Sequence, residues 1–200
     1  MTALRKTPIA LTPSAAPFAI RAERASDVVA RDALLDACFG EGRHTRTCQR
    51  LRDGRVPAEG LALSAVRKGQ LVGTVRLWHV SAGGKPALML GPLAVEAACR
   101  KLGVGAALVE EALAIAAARG HGAVILLGDA PYYARFGFSA AKTGELLLPG
   151  PFERERLLGL ELRDGALSDC WGMIAPTGAG LPKIKAGRAR KAARLVPRAA

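Results

Sequence analysis

The chain has 200 residues, enough for one domain whose core needs no disulfide or metal staple. Half of the residues are apolar, yet 39 are alanine and only 4% are aromatic, so the core is expected to be built from Leu, Val, Ile and Ala. Charge and apolar content exclude a disordered chain. No apolar run reaches the roughly 20 residues that span a bilayer. The net charge of +12 is concentrated at the ends.

Residues 1–17 hold Pro8, Pro13, Pro17, Arg5 and Lys6 and no acid. They read as an irregular leader, with a transit peptide as the alternative. Phe18–Ala22 alternates like a strand. Ser26 and Asp27 are helix N-caps. Val28, Leu34, Leu35 and Phe39 follow at helical spacing, and Gly40 ends that helix. Residues 43–55 carry five arginines and predict a short second helix and a loop. Leu61–Val66 and Leu71–Val80 are strands joined by a tight turn at 67–70, an antiparallel hairpin. After Gly83-Gly84-Lys85-Pro86, a third strand runs from Ala87 to Val95, interrupted at Gly91-Pro92.

The rhythm then changes. Arg100 to Ala106 is a glycine-bearing loop, and Val104, Leu108, Ala112 and Ile115 form one helical face that ends at Gly120 or Gly122. Glu110 and Glu111 interrupt this longest apolar stretch. Ala123–Leu127 is a continuous apolar strand of the buried type. Pro131–Phe136 predicts a short helix with proline in its first turn. Gly137-Phe138 begins an extended stretch, and a last strand lies near Leu157–Leu162. The strand, helix and strand around 87–127 imply a right-handed parallel crossover in a mixed sheet, an α/β (or α+β) fold. The folded domain is expected over 18–174. From Ala175 onward the chain reads as a flexible tail.

That tail holds seven basic residues and no acid between 181 and 200. It suits an anionic partner such as nucleic acid or lipid, or it is merely solvated. Cys38, Cys48, Cys99 and Cys170 form no C-x-x-C pair and no His-Cys metal spacing. They read as free thiols in a reducing cytosol, so a cytoplasmic location without a metal is expected.

The sharpest local signal is the strand running into Arg100-Lys101-Leu102-Gly103-Val104-Gly105-Ala106. Glycines there let a backbone approach closely, and the helix start offers unpaired amides with the positive end of the dipole. Such a loop binds a pyrophosphate, with Arg100 and Lys101 adding charge. The alternative is a helix that merely begins with glycine. A P-loop would need Gly-Lys-Ser/Thr, and a dinucleotide fingerprint a third glycine and an acid on the next strand, so both fit poorly.

Arg100-x-x-Gly103-x-Gly105-Ala106 after an apolar strand resembles the acetyl-CoA loop of the GCN5-related N-acetyltransferase (GNAT) superfamily. Tyr132-Tyr133-Ala134-Arg135-Phe136-Gly137-Phe138 resembles that family's aromatic-Tyr-x-Lys/Arg-x-Gly-Phe segment. With Leu127–Pro131 before it, the segment is similar to a bacterial branch of predicted N-acetyltransferases. The resemblance covers residues 18–170. It implies a central splayed sheet flanked by helices, with acetyl-CoA as co-substrate. It further implies that the Leu93-Ala94-Val95 backbone pairs with pantetheine and that an amide near Leu93 polarises the thioester carbonyl. Amides from Leu102 through Val104 to Ala106 would hold the diphosphate, and Arg135 would contact the cofactor or the helix end. Tyr133 matches the position that protonates the leaving thiolate after attack by an amine, the alternative being a core tyrosine under the sheet, and Tyr132 is assigned to packing.

The strand before the loop has no acid, where many members of the family place a glutamate base. Asp129, at the carboxyl end of the buried strand, is the candidate to accept a proton or orient the amine, unless it serves only as a helix cap. Glu96 reads as a solvated charge, and His79 as a base acting through water or a structural histidine. Solvent is the remaining choice. The arginine-rich 27–55 region and the segment after Phe138 are expected to set specificity, for a small-molecule or protein amine. A dimer is common in the family. The competing readings are a CoA-binding module without turnover and a nucleic-acid binder acting through the tail.

Overall fold

A computed structural model of the protein describes residues 17–182. Strand β1 (Ala19–Ala22), helix α1 (Val28–Phe39), strands β2 (Ala62–Arg67), β3 (Gln70–Ala82) and β4 (Lys85–Val95), and helix α2 (Val104–Ala118) come first. Then follow β5 (Ala123–Leu127), the short helix α3 (Ala130–Ala134), β6 (Leu146–Leu147), β7 (Leu157–Glu161) and β8 (Gly172–Pro176). Eight strands form a mixed sheet ordered β1-β2-β3-β4-β5-β7, with β8 pairing β3 and β6 off this path. Neighbours are antiparallel except β4–β5 and β6–β8. The α/β expectation holds, including the parallel crossover from β4 through α2 to β5.

Apolar clusters occupy both sides of the sheet. One gathers Leu63, Val75, Leu88, Val124 and Leu126 with Val104, Leu108 and Ala112 of α2. The other gathers Trp78, Met89, Ile125 and Leu157 with Leu51 and Leu146. Alternation along β4 and β5 sends successive side chains to opposite clusters, as a sheet covered on both sides requires.

Three local expectations fail. The basic 43–55 stretch forms two 3-10 turns, Glu41–Thr45 and Thr47–Leu51, rather than a helix. Gly40 and Gly42, two β-branched threonines and crowded arginines all weaken helix formation there. Asp27 does not cap α1 through its side chain; its carboxylate turns back to accept the Arg24 N–H at 2.9 Å. Strands β6 and β8 answer to no predicted element. The tail boundary at Ala175 falls inside β8, where Ala175 pairs Ser81 and Pro176 pairs Val80. Beyond it, Val56 N–H donates to Ala179 O, and Leu181 N–H to Gly54 O. The leader up to residue 16 and the tail from 183 lie outside the described residues.

Candidate active site

The site begins with a divergence of strands. β4 and β5 share only two register pairs, Leu88 with Val124 and Met89 with Ile125. Beyond Leu90 the strands part, and the flank of β4 that faced β5 is open. On its other flank β4 continues to pair β3 through Val95 opposite Gly73. Glu96 N–H donates to Val72 O on the β3 side at 2.9 Å. Backbone groups alternate in direction along a strand, so the amides of Leu93 and Val95 point to the open flank. The Val95 carbonyl there accepts a contact from Cys38 Sγ at 3.5 Å. Proline at 92 has no N–H to lose from a ladder, which suits the point of divergence. Trp78 Nε1 fixes the strand at that point by donating to Gly91 O at 2.6 Å.

β4 leads into a 3-10 turn, Ala97–Leu102, and then Gly103 at φ +77°, a left-handed conformation that glycine adopts without strain. α2 starts at Val104, whose side chain is in the core. Ala107 is the first amide to bond back, to Gly103 O at 3.0 Å. The amides of Val104, Gly105 and Ala106 therefore have no helical acceptor. A Cβ on Gly105 would lie 3.1 Å from the Tyr132 hydroxyl, so this position holds the groove floor thin beneath that ring. The groove has a volume of about 390 Å³. Leu93, Ala94, Val95, Arg100, Gly103, Gly105, Ala106 and Arg135 all line it. Lys101 and Leu102 are exposed on the same turn without lining the groove.

Asp129 lies two residues beyond β5 and caps α3, accepting the Tyr132 N–H at 3.3 Å. Its second carboxylate oxygen has no hydrogen-bond partner among the described residues. Capping and a place in the cleft thus coexist in one side chain, since Asp129 also lines a larger hollow of about 700 Å³. Tyr133 lines that hollow too, on the strand-divergence side. Its ring rests on Gly128, where a Cβ would come within 2.4 Å of Tyr133 Cε2. Phe138 meets the ring edge-on at 5.8 Å between centroids. Burial first, and then the neighbouring Tyr132 and Asp129, push the phenol up to about 12. Arg135 lies over the Tyr132 ring at 4.7 Å and donates from Nε to Tyr132 O at 3.0 Å, so Tyr132 packs and lines the groove at once.

The larger hollow reaches from the parted strands to the two 3-10 turns, which bring Arg43, Arg46 and Arg52, while Phe152 and Arg156 come from the segment after Phe138. Both regions expected to set specificity therefore meet here. Thr47 Oγ1 donates to Pro151 O at 2.6 Å and Arg50 to Pro149 O at 2.7 Å, tying those segments together. Phe39 and Leu93 border both the hollow and the groove. Cys38, Phe39 and Glu153 fall within the two regions expected to set specificity, but no local pattern in the sequence marks them as site residues. Glu96 and His79 line neither cavity; the His79 ring instead faces His121 at 5.4 Å. Among the described residues no group of three or more His, Cys, Asp or Glu could hold a metal, and no helix is long and apolar enough to cross a membrane.

The sequence model of the acetyltransferase (GNAT) family matches residues 30–138. The chain is 31% identical over 157 residues to the uncharacterized N-acetyltransferase YhbS of Escherichia coli (strain K12), covering 78% of this chain and 93% of that protein. The crystal structure of Escherichia coli YhbS in complex with CoA superposes with a TM-score of 0.70 over 83% of this chain and 93% of that one, at 31% identity. A GNAT-family acetyltransferase of Brucella melitensis in complex with acetyl-CoA gives 0.54 over 72% of this chain and 95% of its own, at 28% identity. With the family's pattern running over more than half of the residues, and a relative matched along nearly its full length, this chain belongs to the acetyltransferase (GNAT) family.

Proposed function

We propose that the protein transfers an acetyl group from acetyl-CoA to a primary amine, which attacks the acyl carbon directly. The observation that carries this reading is the open flank of β4, whose Leu93 and Val95 amides lead along a groove to the free amides of α2. An extended amide-bearing arm with a diphosphate at its far end needs that sequence of partners. Relatives crystallised with CoA and acetyl-CoA support the same assignment.

Acetyl-CoA supplies an activated acyl carbon and a thiolate leaving group. The amides of Val104, Gly105 and Ala106 hold the diphosphate, with Arg100 and Arg135 supplying positive charge beside it. Leu93, Ala94 and Val95 align the arm through their backbone, and the Leu93 N–H donates to the acyl oxygen as negative charge builds on it. The amine nitrogen forms its bond to the acyl carbon as the carbon–sulfur bond breaks. Tyr133 donates a hydrogen bond to the departing sulfur. At about 12, against about 8.5 for a thiol, the phenol shares its hydrogen in the transition state rather than surrendering it. The surplus proton on nitrogen, accepted by the free oxygen of Asp129 or by solvent, makes up the proton that ends on sulfur.

The test is calorimetric titration of the full chain with acetyl-CoA, followed by thiol release across a panel of small amines, protein N-termini and lysines. Saturable binding followed by amine-dependent CoA release is expected. An absence of heat with acetyl-CoA would refute the reading; binding without CoA release for any amine would leave a CoA-binding module instead.

A further inference from the structure

The four arginines lining the larger hollow are not equivalent. Arg43 donates to Asp36 at 2.5 Å, and Arg156 sits 3.6 Å from Glu153. Arg46 and Arg52 have no carboxylate within 4.0 Å among the described residues. Arg46 is exposed, lies over the Phe39 ring at 5.1 Å and spends one hydrogen on Phe39 O. Arg52 is half-buried and donates only from Nε, to Cys48 O at 3.1 Å, which leaves both terminal nitrogens without a protein acceptor among the described residues. Burial pulls its guanidinium below the usual arginine range. A guanidinium in that position is costly until an anion reaches it.

The wall that carries these two side chains is also held in place. Thr47 and Arg50 bond across to Pro151 and Pro149, so the turns do not need to be ordered when a ligand arrives. Asp129, contributed to the same hollow by another segment, is a negative group beside the parted strands. The hollow is therefore bipolar, with an acid where the amine must react and unpaired cations on another wall.

We infer that the acceptor amine carries an anionic group, a carboxylate or a phosphate, and that Arg46 and Arg52 are the residues that select it. This rests on the acetyltransferase reading, in which the larger hollow receives the amine. Arg52, with a planar fork of free N–H groups, binds the anion, and Arg46 adds charge from the rim.

Binding to the CoA-saturated full chain tests this without turnover. CoA is titrated first. Calorimetry then compares amino acids with their α-carboxamides, phosphoethanolamine with ethanolamine, and spermidine as the cationic control. At least one anionic arm should bind about 10-fold more tightly than its neutral counterpart, and the arm that does so separates carboxylate from phosphate. Arg52→Gln should erase the preference, Arg52→Lys should keep part of it, and Arg46→Gln should reduce it several-fold, all with CoA affinity unchanged. Arg46 is exposed, so its variant carries the test if Arg52→Gln fails to fold. Equal binding of anionic and neutral members, tightest binding of spermidine, or a preference that survives Arg46→Gln and every folded Arg52 variant overturns the inference while CoA binding stands. Failure of CoA itself to bind overturns the acetyltransferase reading, and this inference with it.

Discussion

Tyr133 has a single polar atom, and its surroundings keep that atom protonated. With the phenol pushed up to about 12, its hydrogen is retained through neutral and mildly alkaline pH. A pH profile of kcat should therefore show no alkaline decline from this group below about pH 11, whereas an unperturbed tyrosine would begin to decline near 9. Tyr133→Phe removes the donor and leaves the packing on Gly128 and Phe138, so kcat should fall about 10²-fold with acetyl-CoA affinity unchanged. Steady-state kinetics paired with calorimetry would separate these effects; an unchanged kcat would remove Tyr133 from the mechanism. Two neighbouring glycines should fail in different ways. Gly103→Ala forces a side chain into a left-handed backbone and should cost about 1 kcal/mol of stability, read by thermal melting. Gly105→Ala keeps a helical backbone but meets the Tyr132 hydroxyl, so it should weaken acetyl-CoA binding more than it lowers the melting temperature. These positions were legible in the chain because glycine and tyrosine spacing is local. Phe39 and Cys38 were not, because α1 delivers them from more than fifty residues before the loop, and no local pattern encodes that meeting.

Asp27, at the start of α1, ties that helix to β1 and β2. Its carboxylate accepts two bonds from Arg21, at 2.6 and 2.9 Å, one from the Arg24 amide and one from the Ser64 hydroxyl on β2. Arg21 foremost holds this carboxyl well below the usual carboxylate range. A depressed value in the folded state contributes stability that is complete above the unfolded value of about 4 and is lost as pH falls below it. Asp27→Asn should therefore melt lower than wild type at pH 7, and the difference should shrink between pH 4 and 2. A constant difference across that range would rule out the charge as the cause. β8 pairs the last residues of β3, Val80–Ala82, beyond the span that β2 covers. Ending the chain after Ile174 removes the pairing of Ala175 and Pro176 with β3, and the bonds from Thr177 and Gly178 to His79 O. At about 1 kcal/mol per bond, the melting temperature should drop on the order of 10 °C. Alternation exposed β1, and apolar runs bounded by turn residues exposed β2 to β5 and β7, to a reader of the chain. Neither signal could expose β8, where Gly172 and Pro176 read as punctuation and Met173 and Trp171 face solvent.

If acetyl-CoA binds only the folded protein, saturation at 100 times its dissociation constant adds about 2.7 kcal/mol, which raises the melting temperature by roughly 5–10 °C at this size. Scanning calorimetry with acetyl-CoA, CoA and plain adenosine diphosphate would locate the gain along the groove; no shift with any of them would argue against the site. The basic termini hold most of the net +12 and fall outside the described residues. Phe39 and Leu93 have a different consequence, because each is a wall of both cavities at once. A party wall cannot shift for one occupant without shifting for its neighbour. Linkage requires that whatever factor the donor imposes on acceptor affinity, the acceptor returns in equal measure. Trimming Phe39 to alanine should accordingly change that shared factor, and neither ligand should feel the loss alone.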